Sequence, residues 1–164
     1  MIDEIDRSDE SFEAFLLEVL SEFQITIPEY GTIKASSIPH VILTSNGTRE
    51  LSDALRRRCL YHYLDFPDFD RELAIVMQKI PDANENFMRQ VVTFIQQTRN
   101  SDIRKRPGVA ETLDWATTLI GFGISDLNNA FEDILKTCGC FLKTEEDTRK
   151  FDRETVAKLF EAIT

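Results

Sequence analysis

MIDEIDRSDESFEAFLLEVL, residues 1–20, opens with an apolar pair that runs straight into Asp3 and Glu4. In a soluble α/β protein, adjacent carboxylates at the end of an apolar run mark the carboxyl end of a strand, where such sheets place their ligands. The run here is only Met1 and Ile2. On these residues alone two readings stay open. One is an ordinary solvated helix start, since acids are favoured near helix N-termini; the other is a strand cut short. Ser8 and Asp9 then supply an N-cap. Phe12, Phe15, Leu16, Val19, Leu20 and Phe23 follow at helical spacing, which predicts a helix with one broad buried face.

Outward from this helix, QITIPEYGTIKA (24–35) reads as two short strands joined by a turn around Pro28 and Gly31. IPHVILTSN (38–46) reads as a buried strand whose carboxyl end is Thr44, Ser45 and Asn46. Residues 50–57 are expected to form a short helix, and CLYHYLDFP (59–67) another strand, stopped by Pro67. Beyond it the period changes. FDRELAIVMQKI, NENFMRQVVTFIQQT, VAETLDWATTLIG, DLNNAFEDILKT and RETVAKLFEAI (153–163) all carry helical spacing, punctuated by Pro81, Pro107, Gly121, Gly123 and Gly139. The expected organisation is an α/β part over residues 1–68 and an all-helical part over residues 69–164, without repeats or low-complexity segments.

The bulk numbers narrow the function classes. A chain of 164 residues with 42% hydrophobic and 29% charged residues has ordinary globular composition. No apolar run reaches the ~20 residues needed to span a bilayer, and an acidic start is not a secretory signal. A cytoplasmic protein is expected. A net charge of −10 argues against gripping nucleic acid, which needs Lys and Arg on the phosphates. Cys138 and Cys140 are separated by one Gly, and His40 and His62 are far from them, so the expectation is a reduced pair at a helix end rather than a metal site.

Singly, Asp3-Glu4, Asn46 and the run Arg56-Arg57-Arg58 are weak signals. Their order is stronger: an acid pair, a helix, a hairpin, a second strand ending in Asn46, an arginine cluster, then a helical region. Phosphoryl transfer uses such parts, namely a carboxylate for Mg²⁺, a group that positions the attacking water, and an arginine for transition-state charge.

Residues 2–66, from IDEIDRSDES through ILTSNGTRELSDALRRRC to YHYLDF, together with KRPGVAETLDWA (105–116), resemble the second half of an AAA+ ATPase core of the MoxR group, CoxD-like branch. The resemblance implies a partial AAA+ (P-loop NTPase) core with few strands, followed by an all-α helical lid. It implies ATP and Mg²⁺ as cofactors. Asp3 would be the Walker B carboxylate that holds Mg²⁺, and Glu4 would orient and activate the water. Asn46 matches sensor 1. Arg58 best matches the arginine finger that reaches a neighbouring subunit's site, Arg57 less well and Arg56 least. The hairpin matches the one that precedes sensor 1. Implied partners are further copies in a ring, with a von Willebrand factor A domain protein or a metalloenzyme client.

Two departures stand out. The expected sensor 2 position at the helix starting near Pro107 carries no arginine, leaving Arg104, Lys105 or Arg106 to substitute; Leu113, Trp115 and Leu119 on that helix read as core. No G-x-x-x-x-G-K-[ST] loop occurs in the chain. The reading on this basis is a carboxyl-terminal portion of a longer ATPase, inactive alone. In the family sheet the phosphate-loop strand lies between the sensor 1 strand and YHYLDF. Without it, residues 1–66 are expected to be rearranged, mobile or dimerised, and residues 70–164 to fold well.

Overall fold

The computed structural model describes residues 1–160; the last three residues of the helix expected at 153–163 lie outside the described residues. The chain divides into two units, Met1–Leu64 and a second that begins at Asp65. The fold is mixed and mostly helical, with one two-stranded sheet among the described residues.

In the first unit, helix α1 (Glu10–Glu22) is capped by Asp9, whose carboxylate accepts the Phe12 N–H at 2.8 Å. It ends at Phe23, which takes φ 51°. Strands β1 (Gln24–Ile27) and β2 (Gly31–Lys34) follow as an antiparallel hairpin with Ile25 opposite Ile33. The Tyr30 N–H donates to the Ile27 carbonyl at 3.2 Å, closing a turn that puts Glu29 at φ 66° and Gly31 at φ 101°. That backbone fits glycine at 31 and strains glutamate at 29. Helix α2 (Asp53–Arg56) is capped by Ser52. Ile5, Leu16 and Leu55 form the buried centre, with Ile2, Leu17, Leu20, Leu43, Leu51 and Cys59 around it.

Three expectations for this unit are corrected. The strand expected at 38–46 contracts to a single parallel bridge, Ile2 with Leu43. It is held by the Ile2 N–H on the Ile42 carbonyl (2.8 Å) and the Thr44 N–H on the Ile2 carbonyl (3.0 Å). Residues 59–67 form no strand: a ladder needs a partner, and the described residues offer none, so Leu60, Tyr61, Tyr63 and Leu64 lie exposed. The broad apolar face of α1 is only partly covered; Phe12 and Phe15 are exposed while Glu13 and Leu16 are buried.

The second unit contains α3 (Phe69–Lys79), α4 (Glu85–Asn100), α5 (Val109–Gly121), α6 (Phe131–Thr137), α7 (Glu145–Lys150) and α8 (Arg153–Phe160). Phe94, Trp115, Phe141 and Phe151 meet at its centre with ring centroids 4.9–6.1 Å apart. The Trp115 indole N–H is satisfied by the Thr137 hydroxyl at 2.8 Å. Leu119 is likewise core and Leu113 packs against it. Helix α7 was not legible from apolar spacing. Its signal is the capping pattern T-E-E-D, in which Thr144 accepts the Asp147 N–H and donates its hydroxyl back to Asp147.

No described helix is long and apolar enough to cross a membrane.

Candidate functional site

The bridge between Ile2 and Leu43 aligns two segment ends, and four chemistry-bearing residues follow from that alignment. Asp3 accepts a hydrogen bond from the Thr44 hydroxyl. Asn46 donates its side-chain amide to Glu4 Oε1 at 3.0 Å, although 42 residues separate them. The second Glu4 oxygen pairs with Arg7 at 3.2 Å. Asp3 and Asn46 are exposed and Glu4 is half-buried, so the carboxylates meet solvent from a fixed position.

Glu4 is held from both sides. Its own N–H donates to the Thr44 hydroxyl (3.2 Å), and the next N–H, from Ile5, donates to the Thr44 carbonyl (2.9 Å). Ile5 is buried against Leu16 and Leu55. Between these anchors Glu4 takes φ 51°, ψ 45°, the left-handed region. A non-glycine residue there costs about 1–3 kcal/mol and persists where the surroundings over-determine it. A short 3₁₀ turn, Ile5–Arg7, follows directly.

Below this pair lies a polar network that sequence reasoning missed. Asp6, 3% exposed, accepts the Thr48 hydroxyl (2.5 Å), the Thr48 N–H (2.8 Å) and the Asn46 N–H (3.2 Å). The Thr48 hydroxyl and N–H hold the Asp6 carboxyl far below its ordinary value. Gly47 sits at φ 70°, which lets the loop fold back onto Asp6. Arg49 donates to the Asp6 carbonyl (3.3 Å) and the Ser8 carbonyl (2.6 Å) and pairs with Glu13 at 2.6 Å. Burial pushes the Glu13 carboxyl up, but the Ser52 hydroxyl and N–H and the Arg49 guanidinium outweigh it and lower the pKa. The available signal was Glu13 itself, an acid on the buried side of an amphipathic helix, which demands a partner.

The arginine cluster lies apart from the acid pair in its bonding. Arg58 donates Nε to the Ser21 hydroxyl (2.7 Å) and Nη1 to the Ala54 carbonyl (2.9 Å), pinning it between α1 and α2. Arg56 and Arg57 are exposed.

Arg104, Lys105 and Arg106 belong to the second unit, on an exposed stretch ahead of α5. Their segment is tied down by backbone: the Arg104 and Lys105 N–H groups donate to buried Asp147 at 2.6 and 3.1 Å. The Pro107 carbonyl accepts from Arg99 at 2.6 Å. Arg99 in turn makes a two-point ion pair with fully buried Glu72 (2.5 and 2.6 Å), which also accepts from Thr112 and Gln96.

Cys138 is buried and its thiol donates to the Leu135 carbonyl, with burial raising its pKa; Cys138 to Cys140 is a 3₁₀ turn at the end of α6. Groups of three or more metal-ligating side chains are absent among the described residues.

Compared with known proteins, the chain matches no family model and no curated protein.

Proposed function

We propose that this chain carries the hydrolytic side of the nucleotide site of a MoxR-type AAA+ ATPase, acting in the cytoplasm to remodel or mature a client protein. The observation that supports it most is the Asn46–Glu4 hydrogen bond: two residues 42 positions apart, matched to sensor 1 and Walker B by motif, share one hydrogen bond at the ends of parallel-paired segments.

Asp3 fits a Mg²⁺ ligand. Its carboxylate is exposed, and Mg²⁺ at nucleotide sites takes one or two carboxylates with the remaining positions filled by phosphates and water. Mg²⁺ supplies neutralisation of phosphate charge when bound with ATP. Glu4 is a general base held in one orientation by Asn46 on one oxygen and Arg7 on the other. Arg58, exposed and hydrogen-bonded to Ser21 and Ala54, is the arginine this reading assigns to the nucleotide site of a neighbouring copy in a ring. Lys105 and Arg106, exposed in the helical unit, are the cations this reading keeps as cofactor-binding candidates. The phosphate cradle is not among these residues, because G-x-x-x-x-G-K-[ST] does not occur in the sequence. The partner set that accompanies this reading is further copies in a ring, and a von Willebrand factor A domain protein or a metalloenzyme client.

The absent loop and the exposed run Leu60–Leu64 favour a second reading, a non-catalytic interaction module with vestigial site residues. Calorimetry separates the two. ATP with Mg²⁺ is titrated into this chain, and into the same chain joined at its amino end to any strand and phosphate loop encoded in frame ahead of it. The ATPase reading expects no binding by the chain alone. The joined protein should bind and hydrolyse ATP, and Glu4→Gln should abolish hydrolysis with binding kept. Hydrolysis at an unchanged rate in Glu4→Gln overturns it. No phosphate loop encoded ahead of Met1 leaves the interaction module standing.

A further inference from the structure

We infer that Asp6 is the positioning residue of the Glu4–Asn46 pair, acting through Thr48 and Arg49; this rests on the ATPase reading for its catalytic meaning but not for its geometry. Asp6 makes no hydrogen bond to Asp3 or to the side chains of Glu4 and Asn46. Its carboxylate instead gathers the backbone of the segment that carries Asn46, through the Asn46 and Thr48 N–H groups and the Thr48 hydroxyl. Its carbonyl receives Arg49, whose remaining donors reach Ser8, Glu50 and Glu13. Asp6 lies only two residues beyond Glu4, so one residue links the backbone of the base to the backbone of the group that orients it.

The arrangement has a directional consequence. Asn46 is exposed, its turn contains Gly47, and its side-chain amide is held by the bond to Glu4. The two Asp6 oxygens divide the work, Oδ1 on Asn46 and Oδ2 on Thr48, which defines where the turn lies relative to the Glu4 peptide. Asp6→Asn keeps the shape but replaces one acceptor oxygen with an N–H donor, so the amide cannot hold both ends of the turn. Asn46 then loses its fixed approach to Glu4 Oε1. Loss of the Asp6 carboxylate is therefore expected to disturb the Asn46–Glu4 contact in addition to weakening the first unit.

The test follows the Asn46 side-chain amide by ¹H–¹⁵N NMR in the full chain, with Glu4→Gln as the reference for a changed Asn46–Glu4 bond. Asp6→Asn and the milder Thr48→Val are each expected to move the Asn46 Nδ2 resonances in the direction that Glu4→Gln moves them, leaving the Trp115 indole signal in place. Unmoved Asn46 resonances in both folded variants overturn the inference, as does a general collapse of first-unit signals in Thr48→Val, which would make the network merely structural. In an ATP-hydrolysing protein that contains this chain, Thr48→Val should lower kcat about tenfold or more with KM for ATP unchanged, as expected for misplacement of a catalytic group. A rise in KM with kcat intact counts against positioning. Absence of ATP hydrolysis in the parent protein bears on the ATPase reading alone, since the NMR comparison decides the geometry without nucleotide.

Discussion

The two units solve stability differently. The helical unit buries a continuous apolar core from Leu73 to Leu159, centred on four aromatic rings. The first unit has Ile5, Leu16 and Leu55 fully enclosed and leaves Phe12, Phe15, Tyr30, Ile38, Ile42 and Leu60 at the surface. What it has in exchange is polar: Asp6, Thr48, Arg49, Glu13 and Ser52 tie α1, the 3₁₀ turn and the 44–52 segment together. Apolar burial is non-directional and tolerates adjustment, whereas a hydrogen-bonded network fixes angles and distances. The helical unit is built for stability and the first unit for placement.

The sharpest way to break that contrast lies in a place where the helical unit also depends on a buried polar contact. Glu72 is fully buried and takes both Arg99 donors, Thr112 and Gln96. Glu72→Ala leaves Arg99, 5% exposed, without its counter-charge. Removing one partner of a buried pair costs about 3–5 kcal/mol. Denaturant unfolding followed by Trp115, the single tryptophan, reads the helical unit selectively. A loss below about 1 kcal/mol would mean that the apolar core alone holds this unit.

Both units should also share one dependence on pH, and it sharpens where each keeps its polar anchor. Asp6 is lowered from 3.8 chiefly by Thr48, and Asp147 from 3.8 chiefly by the Thr144 hydroxyl and then the Arg104 N–H. A carboxylate lowered in the folded state binds fewer protons there than when unfolded. Its contribution is fully present above the unfolded value near 3.8 and is lost as pH falls through the folded one. Acid titration should therefore destabilise both units below about pH 4, with Asp6→Asn flattening the response of first-unit NMR signals and Asp147→Asn that of Trp115. Equal flattening of both reporters by either substitution would show that the anchors are not separate.

Much of the helical unit was legible because periodic apolar spacing over eleven or more residues has one solution: the helices around Val76, Phe94 and Trp115 lie where the pattern places them. Helix α7 escaped because it is short and held by a cap rather than by an apolar stripe. Strand expectations at 38–46 and 59–67 rested on short apolar runs and on the resemblance, and neither supplies a pairing partner. At the site, Asp3, Glu4 and Asn46 were visible as motif residues. Their mutual bonding was not, since contacts 41 or 42 residues apart leave no local trace. Asp6 and Arg49 stayed hidden for the opposite reason: an acid in a 3₁₀ turn and an arginine in a loop look like ordinary surface until the fold encloses them.

The smallest expected effect tests the exposed side of the comparison. Leu60, Tyr61, Tyr63 and Leu64 contribute apolar area that the first unit does not bury. If stability in this unit comes from Ile5, Leu16, Leu55 and the Asp6 network, Leu60→Ser removes nothing that folding uses. The change in stability should stay within about 0.5 kcal/mol, the range for surface positions. Sedimentation supplies the second readout, because an exposed apolar run with unpaired backbone is a surface on which another chain can pair. A folded monomer of unchanged stability places these residues outside the fold's own energetics. A destabilisation above about 1 kcal/mol would mean that the segment packs against the first unit's core in solution, and the contrast between a stability unit and a placement unit would fail at that point.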